Sequence, residues 1–241
     1  MSDEAARRTY VLIHGAWHGG WCYRRVRERL EHAGHRVFAP TLTGLGERSH
    51  LLDASTGLAT HIIDIVNTVL WEDLDDIIIV AHSYGSWVAS GALEAIGARV
   101  SSAVFVDCYL PEDGEKLVDF GRPESIAQLW AAKEAGELGR PAPSASEFGV
   151  VSDADRAWVD SKTTPQPVAA SFEPISLSGA RERVPSKVYV RAPAYVSPRF
   201  DTIWDRLGDD ETWQLVRAPG GHDVMIDEPD FLADLLLTLA E

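Results

Sequence analysis

Along the chain, short β-branched runs alternate with stretches whose apolar residues recur every three or four positions. Residues 9–13 (TYVLI), 35–38 (HRVF), 76–80 (DIIIV), 102–106 (SAVFV), 187–190 (KVYV) and 212–216 (TWQLV) read as strands. The DIIIV run is apolar at nearly every position, as a strand covered on both faces of a parallel sheet would be. Between strands, Cys22, Val26, Leu30 and Ala33 mark a helix that Gly34 stops. Ile62, Ile63, Val66, Val69 and Leu70 mark a second, with Thr60 as its expected N-cap. Val88, Ala92, Ala95 and Ile96 line a third that ends at Gly97, and Leu232, Leu235, Leu236 and Leu239 a last one starting near Pro229. Repeated strand–helix crossovers predict an α/β fold with a six-stranded, mostly parallel sheet flanked by helices.

One interval breaks the alternation. Residues 111–186 hold short helical patterns around Leu129-Trp130 and Trp158-Val159, interrupted by RPAPS at 140–144 and TPQP at 164–167. Inserted between the fourth and fifth strands, this segment is expected to be a helical cap on a core of residues 1–110 and 187–241. At 241 residues and 45% hydrophobic, the chain is long enough for one well-buried domain and short for two.

Charge narrows the partners. Thirty-seven acidic against 22 basic residues give −15, and no basic cluster exceeds two residues, which excludes a phosphate-backbone partner. Cys22 and Cys108 are too few for a disulfide framework and wrongly spaced for a metal site. The acidic start Met1-Ser2-Asp3-Glu4 and the lack of about 18 consecutive apolar residues predict a cytoplasmic chain with no membrane contact. The expected partner is a small-molecule substrate and, at most, a second copy of the chain.

Candidate chemistry gathers in three short motifs. AHSYG (81–85) follows the third strand and precedes a helix. A serine forced into such a turn is strained and exposed, Ala81 and Gly85 are small enough for strand and helix to approach, and the helix N-terminus favours negative charge beside Ser83. An ordinary helix-capping serine is the alternative, since Ala81 replaces the usual first glycine, but the strand–turn–helix context favours a nucleophile. HGAWHGGW (14–21) leaves the first strand at the same edge, where open sheets bind ligands. Its backbone suits an oxyanion hole formed by the N–H groups of Ala16 and Tyr84. A dinucleotide loop fails on glycine spacing. His222, in PGGHD after the sixth strand, is the expected base, because it combines a flexible glycine approach with the order Ser, acid, His.

The acid usually follows the strand before the histidine's strand, yet here that strand continues into Arg191-Ala-Pro-Ala-Tyr, with no carboxylate until Asp201 on an expected helix. Asp107 ends the fourth strand at the same edge and is preferred. Asp223 is poorly placed to meet the ring of its own chain neighbour. Pocket walls are expected from His14, Gly15 and Trp17 in the glycine-rich loop, and from Trp130, Trp158 and Phe172 in the insertion. No metal ligands and no cofactor are expected.

HGAWHGGW, LTGLGERSH (42–50), AHSYG, VDCYLPEDG (106–114), TPQP and GGHDVM (220–225) together resemble the α/β-hydrolase superfamily in its esterase and hydroxynitrile lyase group. The pattern is most like that of bacterial small-molecule esterases. The resemblance implies the α/β-hydrolase fold and a Ser83, His222, Asp107 triad with Ala16 and Tyr84 as oxyanion donors. Hydroxynitrile lyases of this group need a lysine just after the catalytic histidine, where this chain has Asp223 and Val224, so cyanohydrin cleavage is disfavoured. Ala81 and Ser86 each add bulk around the elbow where a glycine is common.

The leading expectation is a cofactor-free serine hydrolase cleaving an ester, carbamate or related acyl bond of a small apolar molecule. Acyl transfer or thioester hydrolysis in natural-product assembly differs only in the acceptor. A ligand-binding member of the fold without turnover is the expectation from a different class.

Overall fold

Because side chains alternate across a strand, the first strand already divides the interior into two layers. In β1 (Thr9–Ile13), Val11 and Ile13 face one apolar cluster while Tyr10 and Leu12 face the other. The computed structural model describes residues 7–239. Its further elements are α1 (Arg24–His32), β2 (Arg36–Phe38), α2 (Leu58–Trp71), β3 (Ile77–His82), α3 (Gly85–Ile96) and β4 (Val100–Val106). They continue with α4 (Pro123–Glu134), β5 (Gly139–Arg140), α5 (Asp153–Asp160), β6 (Gln166–Pro167) and β7 (Ser186–Arg191), and end with α6 (Pro198–Gly208), β8 (Trp213–Arg217), α7 (Val224–Asp227) and α8 (Pro229–Thr238).

Six strands pair in parallel in the order β2-β1-β3-β4-β7-β8. One face packs Val11, Ile79, Phe105 and Tyr189 against Ile65 and Val69 of α2 and Val88 and Ala92 of α3. The opposite face packs Tyr10, Val80, Val104 and Val190 against Val26 and Leu30 of α1 and Leu232 and Leu236 of α8. Each fully buried Val, Leu or Ile contributes roughly 1.5–3 kcal/mol. Since α1 follows β1 onto one face and leads to β2, while α3 follows β3 onto the other and leads to β4, the direction in which successive strands are added reverses between these adjacent parallel strands. The crevice beyond their C-terminal ends is where open α/β sheets bind ligands.

The six expected strands are all present, extended by one to two residues at β3, β4 and β7. Two local expectations are corrected. Gly57, not Thr60, is the N-cap of α2, and Thr60 sits in the first turn with its hydroxyl on the Ser55 carbonyl. The buried face of α2 runs through Leu58, His61, Ile65 and Val69, leaving Ile63 and Leu70 exposed. A histidine takes an interior position there, and a purely apolar template rotates the helix to suit the wrong residues. Between β4 and β7 lie α4, α5 and a two-stranded antiparallel ladder of β5 and β6, which pairs Arg140 of RPAPS with Gln166 of TPQP. Among the described residues, no helix is long and apolar enough to cross a membrane.

Candidate active site

Ser83 follows β3 with φ +49°, a left-handed conformation costly for a side chain with a Cβ. The cost is met by close packing on every side. Ser83 N–H donates to the Val106 carbonyl across the sheet (3.1 Å). The Ser86 hydroxyl, bulk where a glycine is common, donates to the Ser83 carbonyl (2.8 Å). A Cβ on Gly85 would lie 2.7 Å from the carbonyl oxygens of Ile13 and His14, so only glycine lets α3 start this close to the end of β1. Gly15 is equally confined, since its Cβ would be 2.8 Å from His82 Nδ1 and 3.1 Å from Ser83 Cβ.

The glycine-rich loop is held by histidines. His14 Nδ1–H donates to the Gly15 carbonyl (2.8 Å), and Nε2 accepts from Leu42 N–H (3.0 Å). Burial pushes its pKa down to about 3, so the ring is neutral. Fully buried with both nitrogens committed to main chain, His14 braces the loop and has no free nitrogen for a ligand. A trans peptide opposes its C=O and N–H, so fixing the Gly15 carbonyl also fixes the direction of Ala16 N–H. Tyr84 is anchored similarly. His61 Nε2–H donates to the Thr43 carbonyl (2.9 Å), leaving Nδ1 to accept from Tyr84 Oη (2.8 Å).

His222 follows β8 and a Gly220-Gly221 turn. Its Nδ1–H donates to Asp107 Oδ2 at 2.6 Å, which leaves Nε2 as the unprotonated nitrogen of the neutral ring. Asp107, with φ +42°, is completely buried at the end of β4. Its other oxygen, Oδ1, accepts from Arg191 Nη1 (2.7 Å) and Ala192 N–H (3.0 Å). The His222 backbone is clamped too, its N–H donating to the Phe148 carbonyl (2.8 Å) and its carbonyl accepting from His82 Nε2–H (2.9 Å). Tyr195 stacks on the ring with centroids 4.5 Å apart. Asp201 lies on α6, exposed, and accepts from Arg191 Nε (2.9 Å).

A second His–Asp pair lies beside the first. His18 Nε2–H donates to Asp223 Oδ2 (3.2 Å) and Nδ1–H to the Ala16 carbonyl (2.8 Å). Burial opposes charge on both groups. The Asp223 carboxylate nonetheless holds His18 above its ordinary pKa, and His18 holds Asp223 below its own. The pair is a buried imidazolium–carboxylate that ties the glycine-rich loop to the histidine loop. His82, between them, is kept neutral by burial.

The remaining expected pocket residues scatter. Trp17, with φ +64°, donates from its indole to the Arg140 carbonyl (3.1 Å) and from its backbone to Gln166 Oε1 (3.0 Å). Trp158 packs edge-on against Trp21, with the Arg25 guanidinium over its ring. Trp130 and Phe172 pack on each other under Lys133, and Phe172 borders a cavity of about 400 Å³ with Leu138 and Val168. Sequence reasoning did not single out Arg191, Tyr195, Phe148 or the role of His18. A usable signal was Arg191, the charged residue that closes the apolar stretch VYV at the end of its strand.

The family model described as "Alpha/beta hydrolase family" matches residues 10–235. The chain is similar to the carbendazim hydrolyzing esterase of Nocardioides sp. (strain SG-4G), at 39% identity over 240 residues, covering 95% of this chain and 98% of that protein. It is similar also to methylesterase 7 of Arabidopsis thaliana, at 26% identity, covering 99% and 98%. Among solved structures, an extracellular alpha/beta-hydrolase from a Paenibacillus species superposes with a TM-score of 0.82 at 21% identity, covering 96% of this chain and 98% of that one. With an elbow, a glycine-rich loop and a histidine–carboxylate pair at one sheet edge, and a family match over nearly its whole length, the chain belongs to the alpha/beta hydrolase family.

Proposed function

We propose that the protein is a cofactor-free serine esterase acting on a small, largely apolar ester, carbamate or related acyl compound. The observation that carries this reading is the 2.6 Å His222–Asp107 hydrogen bond, which frees Nε2 at the sheet edge from which the Ser83 elbow projects. His222 Nε2 takes the Ser83 proton as Oγ attacks the acyl carbon. Asp107 orients the ring and stabilises the imidazolium without taking the proton. Ala16 and Tyr84 N–H groups receive the tetrahedral oxyanion, each worth about 3 kcal/mol. The imidazolium protonates the departing alkoxide, and water, deprotonated by the same ring, releases the acid and restores Ser83.

Relatives named for carbendazim hydrolysis and for methylesterase activity support a small leaving group. Residues 111–186 form the cap in this reading, with Trp17, held by Arg140 and Gln166, at the junction of cap and oxyanion loop. Steady-state hydrolysis of p-nitrophenyl acetate and butyrate tests the proposal. Wild type turns over with a burst of p-nitrophenol and Ser83→Ala does not. Full activity in Ser83→Ala would overturn the nucleophile, and tight ligand binding without turnover would favour a receptor.

A further inference from the structure

We propose that Arg191 is a positioning residue that selects which oxygen of Asp107 faces His222 and places its own charge beside that hydrogen bond. β7 lies between β4 and β8, so Arg191 at its end stands between the loops that carry Asp107 and His222. Arg191 is only 2% exposed, and its guanidinium spends its donors locally. Nη1 reaches Asp107 Oδ1 and the Ala192 carbonyl, Nη2 the Tyr195 carbonyl, and Nε Asp201 Oδ1. With Ala192 N–H, it saturates Oδ1 and leaves Oδ2 to His222 Nδ1. The same guanidinium fixes the turn that lays Tyr195 on the His222 ring. A planar fork does both at once, which an ammonium cannot.

The charge has its own consequence. Asp107 shares its negative charge between guanidinium and imidazole, so a variant that removes the guanidinium charge changes the field at the His222 ring. The exposed Asp201 offsets part of the guanidinium charge from the far side. The other charged or titratable groups facing His222 are His82, 4.5 Å away between ring centroids, the His18–Asp223 pair and the Tyr195 phenol. All of them are common to the variants below. Phe148 and Phe200, also packed on the ring, carry no charge.

The catalytic consequence rests on the proposed triad, whereas the measurement does not. The His222 ring, assigned by its loss in His222→Gln, is followed by NMR across pH in the full chain. Arg191→Met should raise its midpoint by on the order of one pH unit. Asp201→Asn, at an exposed site, should lower it by about a few tenths of a unit because solvent screens the lost charge. Arg191→Lys should leave the midpoint near wild type while kcat falls about tenfold, the signature of a lost fork with retained charge. The acid limb of ester hydrolysis should move with each midpoint. Unchanged midpoints in both Arg191→Met and Asp201→Asn, or an upward shift in Asp201→Asn, would overturn the proposal. If Arg191→Met does not fold, the sign of the Asp201→Asn shift decides. Absence of any esterase turnover in wild type would defeat the triad reading and leave the midpoints to judge Arg191.

Discussion

Two His–Asp pairs lie side by side in this molecule, and they differ in what they leave over. In His222–Asp107 only Nδ1 is engaged, so one nitrogen stays available at the sheet edge. In His18–Asp223 both nitrogens donate to acceptors, and the ring has nothing left to offer a substrate. Proximity and burial are common to both pairs. An unspent nitrogen is what the proposed base has and the brace lacks. The comparison also shows why chain adjacency misleads, since the carboxylate next to His222 in sequence serves His18 instead.

The sharpest separation comes from removing each carboxylate in turn. Asp107→Asn should lower kcat by about 10⁴ with folding retained, as expected when a base loses the partner that sets its tautomer. Asp223→Asn should instead act first on stability, costing about 3–5 kcal/mol because it strands a buried imidazolium, read as a lower midpoint in denaturant unfolding. If Asp223→Asn cut kcat as deeply as Asp107→Asn while leaving stability intact, the two roles would be interchanged.

A steric test comes next. Gly15→Ala would place a methyl 2.8 Å from His82 Nδ1, pushing the glycine-rich loop away from Ser83. A displacement of that kind should reduce kcat about 10²-fold with little change in secondary structure by circular dichroism.

The smallest effect is a pH dependence. Asp223 is held below its ordinary 3.8, so its contribution is present above that value and fades as pH falls through the folded-state value. His18 is held above 6.5, so its contribution is present below 6.5 and fades as pH rises through the folded-state value. The stability gap between wild type and Asp223→Asn should therefore be widest between pH 3.8 and 6.5 and narrow on either side, measured by urea unfolding at several pH values.

The sheet was legible because parallel strands buried on both faces leave unbroken apolar runs, as in residues 77–80. The face of α2 was not, because His61 is buried by a hydrogen bond that hydropathy does not register. At the site, a carboxylate closing β4 and a histidine led in by glycines were visible as chemistry tied to strand ends. Arg191, His18 and Asp223 were not, since each acquires its role from a partner at least 84 positions away. The antiparallel pairing of Arg140 with Gln166 escaped because the prolines beside it read as breaks.

The most direct measurement is intact-mass and peptide mapping of the protein after reaction with an alkyl fluorophosphonate, for wild type, His222→Ala and Asp107→Asn. One adduct on Ser83, formed rapidly in wild type and slowed by orders of magnitude in both variants, is the expected result. An adduct on another residue, or labelling of Ser83 at equal rates in all three proteins, would contradict it.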